Sequence, residues 1–163
     1  MAAALALAVL AWNAGPLGMA ALRALIAVSF RDVPAVDTAT LAAELAGPRP
    51  PLLLDAREAS EYEVSHLPGA RHAPPHHESG LAAELPRDAR IVVYCSVGWR
   101  SAGLARRLQA AGFRDVRNLE GSAFAWANEG RALAGRLGSR GLVHPYASVF
   151  AWLLVPGARG PAS

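Results

Sequence analysis

Short apolar runs that stop abruptly and give way to helical patterns set the outline of this chain. Ile91-Val92-Val93-Tyr94 ends at Cys95. Beyond it, Ala102, Leu104, Ala105, Leu108 and Ala111 place an apolar face on a helix, with Arg106, Arg107 and Gln109 outward. Upstream, Leu52-Leu53-Leu54-Asp55 is a continuous run bounded by Pro50-Pro51, as expected of a strand covered on both faces. Residues 58–64 make a short helix after it. Asp37 or Thr38 can cap an earlier helix through Leu45, because a short side-chain oxygen satisfies free N–H groups in the first turn. Gly112 ends the helix that follows Cys95, and residues 116–119 supply the next strand. Strands alternating with helices predict an α/β fold with a central, mostly parallel sheet flanked by helices.

In such sheets the loops at the carboxyl ends of the strands meet in one crevice. Asp55 and Arg57 follow one strand, and Cys95 through Arg100 follow another, so the two groups can share it. A strand that ends in a tight loop opening a helix aims backbone N–H groups, and the positive end of the helix dipole, at whatever the loop holds. Here that object is a thiol. Such a cradle stabilises a thiolate and would equally hold a persulfide or an oxyanion attached to the sulfur. Cys95 therefore reads as a nucleophile. The competing reading is a small buried hydrophobe at a strand end, against which stand Gly98, Arg100 and the helix-starting Ser101. The spacing also separates two chemistries. A phosphate-transferring loop with five residues between cysteine and arginine needs its arginine at position 101, but that position is Ser101 and Arg100 comes one residue early. The smaller loop suits a sulfur atom.

At 163 residues the chain is long enough for one core, and one domain is expected. Its only cysteine excludes an intramolecular disulfide and any CxxC redox or zinc pair. Lysine is absent, and 16 arginines against 13 acids leave a formal charge of +3. The arginines are scattered, without the aromatic-rich basic stripe of a nucleic-acid binder, so no nucleic-acid partner is expected. His72, His76 and His77 in a Pro-containing loop lack the matching ligands of a metal site, and His66 belongs to a His-Leu-Pro-Gly turn where it bonds backbone. Neither a metal nor a cofactor is expected.

Three blocks resemble the rhodanese-like sulfurtransferase family. Leu52-Leu53-Leu54-Asp55-Ala56-Arg57, then Glu61 and His66-Leu67-Pro68-Gly69-Ala70, resemble its first half. Residues 92–101 look like its active-site loop and helix start. Ala111-Gly112-Phe113, Val116, Leu119, Gly121 and Ala125-Trp126 resemble its last strand and helix. The departures are Ser65, where glycine often precedes the histidine, and Ser122 for a second glycine. The resemblance implies a three-layer rhodanese-like fold and sulfur transfer through a Cys95 persulfide. Its substrates would be a small sulfur donor such as thiosulfate and a thiol or cyanide acceptor, with a sulfur-relay protein as a further candidate partner. Backbone N–H groups of Ser96, Val97, Gly98, Trp99, Arg100 and Ser101 would hold the persulfide charge, and Arg100 would attract the donor. Arg57 either joins it or pins the strand end in a salt bridge with Asp55, Glu58 or Glu61. Asp55 is an orienting or structural group, and Trp99 either packs or forms a wall for substrate or partner. The alternative reading is a non-catalytic rhodanese-fold module that binds a protein.

Outside this stretch, residues 1–32 form an apolar leader and residues 132–163 a tail flanking a domain at 33–131. The apolar run of residues 2–12 is shorter than the ~20 needed to span a bilayer, and no cleavage pattern of a secretory signal accompanies it. A membrane-associated helix through residues 2–30, an amphipathic cover for the domain and a mis-called start all stay open. The expected location is cytoplasmic. Val143-His144-Pro145-Tyr146 and the apolar residues after it look like a segment that docks on the domain. A similar His-Pro-Tyr tail is known in bacterial rhodanese-like proteins that carry tyrosine in place of Trp99.

Overall fold

The computed structural model describes residues 16–74 and 78–161. Five strands, β1 (Ala35–Val36), β2 (Leu52–Asp55), β3 (Arg71–His72), β4 (Arg90–Tyr94) and β5 (Asp115–Leu119), form one sheet in the order β1-β5-β4-β2-β3. Every pairing is parallel, with Leu53 beside Val92 and Asp55 beside Tyr94. Parallel strands need crossovers, and among the described residues six helices supply or flank them: α1 (Pro16–Ser29), α2 (Thr38–Leu45), α3 (Ala59–Val64), α4 (Glu78–Glu84), α5 (Trp99–Ala110) and α6 (Ser122–Asn128).

The period of two along the strands divides the core. Leu53, Val92, Tyr94 and Leu119 point to a face covered by Met19 of α1, Leu41 of α2 and Phe124 of α6. Leu54, Ile91, Val93 and Val116 point to the other, covered by Leu81 of α4 and Leu104 and Leu108 of α5. This is the three-layer arrangement expected from the alternation. Asp37 caps α2, its Oδ1 accepting the Thr40 N–H at 2.8 Å. Glu58 begins α3 in a capping box with Glu61.

The expected strands at β2, β4 and β5 and helices at α2, α3 and α5 are present within a residue or so. Missing from the sequence reading were β1 and β3, two-residue edge strands too short to carry a periodicity and formed by pairing alone. His72, expected in a loop, is in β3. Its Nε2 lies 2.8 Å from the Arg57 carbonyl oxygen, and His66 Nδ1 lies 2.8 Å from that of Tyr62. His76 and His77 lie outside the described residues, as do residues 1–15 of the apolar leader. Its remainder is α1, which buries Met19 and Ile26 on the domain while Leu17 and Val28 face out. Among the described residues, no helix is long and apolar enough to cross a membrane.

The tail docks as its apolar residues suggested. Asn128 clamps it, donating to the Leu153 carbonyl at 2.8 Å and accepting the Val155 N–H at 2.9 Å. Val143, Leu153 and Leu154 enter the first core face. At about 1.5–3 kcal/mol for each fully buried aliphatic side chain, these residues make the tail part of the core.

Candidate active site

Where β4 ends, Cys95 is only 1 % exposed. The chain turns at Gly98, whose φ of +116° is closed to most side chains and whose backbone leaves a Cβ only 3.3 Å from Ile26 Cδ1. That turn brings the Gly98 N–H back to the Cys95 sulfur at 3.1 Å. Helix α5 starts at the next residue, so the sulfur sits at its positive end.

The loop is fastened from three sides. Ser122 Oγ accepts the Cys95 N–H at 3.2 Å and donates to the Leu119 carbonyl at 3.0 Å. The Cys95 and Ser96 carbonyls accept the N–H groups of Ala123 and Phe124, both at 3.0 Å. From β5, Asn118 accepts the Ser101 hydroxyl at 2.7 Å and donates to the Gly98 carbonyl at 3.1 Å. From α3, the buried Glu61 accepts the Ser96 hydroxyl at 2.8 Å and binds Arg100 through both carboxylate oxygens, at 2.7 and 2.8 Å. Burial pushes the Glu61 carboxyl up, but hydrogen bonds and charge from Arg100, aided by the Glu58 N–H and Ser96, outweigh it and the net shift is downward. Arg100 in turn has its charge held against burial by Glu61 and Cys95 together.

At the end of β2 the Arg57 guanidinium donates to both Asp55 oxygens, at 2.9 and 2.6 Å, and to the Ser65 carbonyl at 2.6 Å. Both side chains of this pair are fully enclosed. Tyr94 beside them accepts the Leu67 N–H at 3.0 Å, and its phenol is held well above its ordinary range by burial and the Asp55 charge. On the surface, Trp99 is 44 % exposed and meets the edge of Phe30 at 5.2 Å.

Such a cradle can carry a negatively charged sulfur on Cys95. The same stretch of chain matches a known pattern: the model of the Rhodanese-like domain family covers residues 37–129. The chain belongs to the rhodanese-like domain family. A sulfurtransferase of Allochromatium vinosum is 34 % identical over 95 residues, 58 % of this chain and 89 % of that protein. A probable adenylyltransferase/sulfurtransferase MoeZ of Mycobacterium tuberculosis is 38 % identical over 80 residues, 47 % of this chain, which spans 20 % of that relative's length. The solution structure of the rhodanese-like domain from the Anabaena sp. Alr3790 protein is 28 % identical, with a TM-score of 0.61 over 66 % of this chain and 83 % of that one.

In this rhodanese-like domain the residues singled out in the sequence fall into two groups. Cys95, Ser96, Gly98, Arg100 and Ser101 lie together in the loop and helix start that Glu61, Asn118 and Ser122 fasten, where the Gly98 N–H reaches the sulfur, with Val97 half-buried and Trp99 outside. Asp55 and Arg57 stand apart as a closed pair at the neighbouring strand end. Of the two sequence readings of Arg57 the salt bridge is the one present. Its partner is Asp55, and full burial of both groups takes Arg57 out of reach of an incoming anion. Reading the sequence missed the clamping roles of Glu61, Asn118 and Ser122. The Glu58-x-x-Glu61 spacing before a helix was the available signal for the first, while Ser122 was visible only as a departure from glycine. It keeps the glycine-like backbone, with φ +52°, and adds the hydroxyl that holds Cys95.

Proposed function

We propose that the protein is a sulfurtransferase that moves a sulfane sulfur from a small donor such as thiosulfate to a thiophilic acceptor. The Cys95 thiolate attacks the outer sulfur of thiosulfate, the S–S bond of the donor breaks, and sulfite leaves with the electron pair. The product is Cys95-S-S⁻. Cyanide or a thiolate then attacks the terminal sulfur and releases the Cys95 thiolate, as thiocyanate forms in the cyanide case, so the cycle is ping-pong. In this reading Cys95 is the nucleophile and the backbone of residues 96–101 holds the persulfide. Arg100 keeps a cation beside the sulfur, and Asp55 with Arg57 braces the floor.

The observation that carries the reading is the 3.1 Å approach of the Gly98 N–H to the Cys95 sulfur at the start of α5, with Arg100 beside it. A thiol that served only as packing would need neither the donor nor the cation. The test is thiocyanate formation from thiosulfate and cyanide by the full chain. Cys95→Ala should abolish it with the circular dichroism of the fold unchanged, and turnover equal to the parent would defeat the proposal.

A further inference from the structure

The cation beside Cys95 is covered by a residue from outside the family-matched stretch. Tyr146, in the tail, lays its ring over the Arg100 guanidinium at 4.6 Å. Stacking occupies a guanidinium face and leaves the in-plane N–H groups free, so the contact coexists with the bonds from Arg100 to Glu61 and Ser96. Tyr146 is also not the loose end of a strap. Val143 is fully buried and bonded on both sides, donating to the Ala158 carbonyl and accepting the Gly160 N–H, both at 2.8 Å. The buried His144 accepts the Tyr146 N–H on Nδ1 at 3.0 Å, closing a turn around Pro145. The result is a φ of +66° at Tyr146, a conformation an aromatic residue rarely adopts without support from its surroundings. Phe150 backs the ring at 5.8 Å, yet the residue is 50 % exposed. One part of Tyr146 rests on Arg100, the cation that Cys95 and Glu61 together hold, and the rest stands in solvent, while Cys95 itself is only 1 % exposed. The preceding residue of α5, Trp99, points elsewhere, turned by about 100° around the helix, and meets Phe30 outside the cradle.

We infer that Tyr146 is a specificity-determining residue, a wall at the mouth of the Cys95 cradle that admits small sulfur donors and acceptors and holds off bulky or protein-borne ones. The substrate side of this inference rests on the sulfur-transfer reading; the size limit on reagents reaching Cys95 does not. The test therefore has two readouts on the full chain, for the parent, Tyr146→Phe, Tyr146→Ala and Tyr146→Gly, the last of which suits the positive φ. One is the rate of Cys95 alkylation by fluorescein maleimide relative to iodoacetamide. The other is kcat/KM for glutathione persulfide relative to thiosulfate. Removing the ring in Ala or Gly should raise both ratios by about tenfold, the scale on which pocket size discriminates, while Phe stays within about twofold. An alkylation ratio that shifts while neither the parent nor any variant makes thiocyanate would support the size limit and sink the sulfur-transfer reading. Unchanged ratios in both Ala and Gly, or a Phe variant that behaves like Ala, would overturn the inference.

Discussion

Arg100 binds Glu61 through both carboxylate oxygens, and the same carboxylate accepts the Glu58 N–H at 3.0 Å at the start of α3. One buried anion thus fixes a helix terminus and the cation beside Cys95. Glu61→Ala is expected to slow persulfide formation from thiosulfate by about tenfold or more, the scale of a charge-assisted hydrogen bond worth 1.5–3 kcal/mol. Glu61→Gln, which keeps the shape, should lose less. Stopped-flow measurement of the first half-reaction separates them, and equal rates in all three proteins would contradict the coupling.

The Glu61 carboxyl in the folded protein lies below its ordinary value of 4.5. Its contribution to stability is therefore fully present above that value and is lost as pH falls through the folded-state value. Urea midpoints followed from neutral to acid pH should drop below about 4.5 in the parent, and drop less in Glu61→Gln. A slope identical in both would contradict the linkage.

Asp55 and Arg57 form a closed buried pair, so removing one partner strands a charge. Arg57→Met should cost about 3–5 kcal/mol in chemical denaturation. Because Arg57 is out of a donor's reach, KM for thiosulfate in the folded variant should stay near that of the parent. A raised KM without loss of stability would restore the donor-attracting role.

Ser122 offers a contest between strain and a hydrogen bond. Alanine keeps the unfavourable positive φ and orphans the buried Cys95 N–H, a loss of about 1–3 kcal/mol. Glycine orphans the same N–H but relieves backbone strain of similar size, about 1–3 kcal/mol. The expected order of thermal stability is parent close to Ser122→Gly, with Ser122→Ala clearly lower. Alanine matching glycine would show that the φ carries no strain.

His144 titrates below its ordinary 6.5, lowered by burial and by Arg57 against the opposing pull of Glu61. The unfolded chain then binds the proton more readily, so the tail's stability is present above 6.5 and declines as pH falls from there toward the folded-state value. Protonation of Nδ1 also removes the acceptor of the Tyr146 N–H. Amide-exchange protection at Tyr146, corrected for intrinsic rates, should fall as the pH is lowered below the ordinary histidine value of 6.5 and His144 takes up its proton. Constant protection would contradict this role for His144.

The sheet and the cradle were legible because each has a local signature: an apolar run, a breaker, a thiol before Gly98, an arginine at a set spacing. What joins distant segments was not. Glu61 reaches Arg100 across 39 positions, and Ser122 reaches Cys95 across 27, with no periodicity to announce either contact. The bonding of Arg57 to Asp55 was one of two open readings because sequence does not reveal burial, which decides between a solvent-facing cation and a closed pair. Tyr146 lies farther still, in a tail whose docking the apolar residues suggested but whose contact with Arg100 depends on the turn at His144.

A sulfur atom carried on Cys95 is measured directly by intact-protein mass spectrometry after incubation with thiosulfate. The expected result is a mass gain of one sulfur atom that maps to the Cys95 peptide, disappears on adding cyanide as thiocyanate forms, and is absent from Cys95→Ala. A parent protein that stays unmodified under excess thiosulfate and under a small-molecule persulfide would contradict the account.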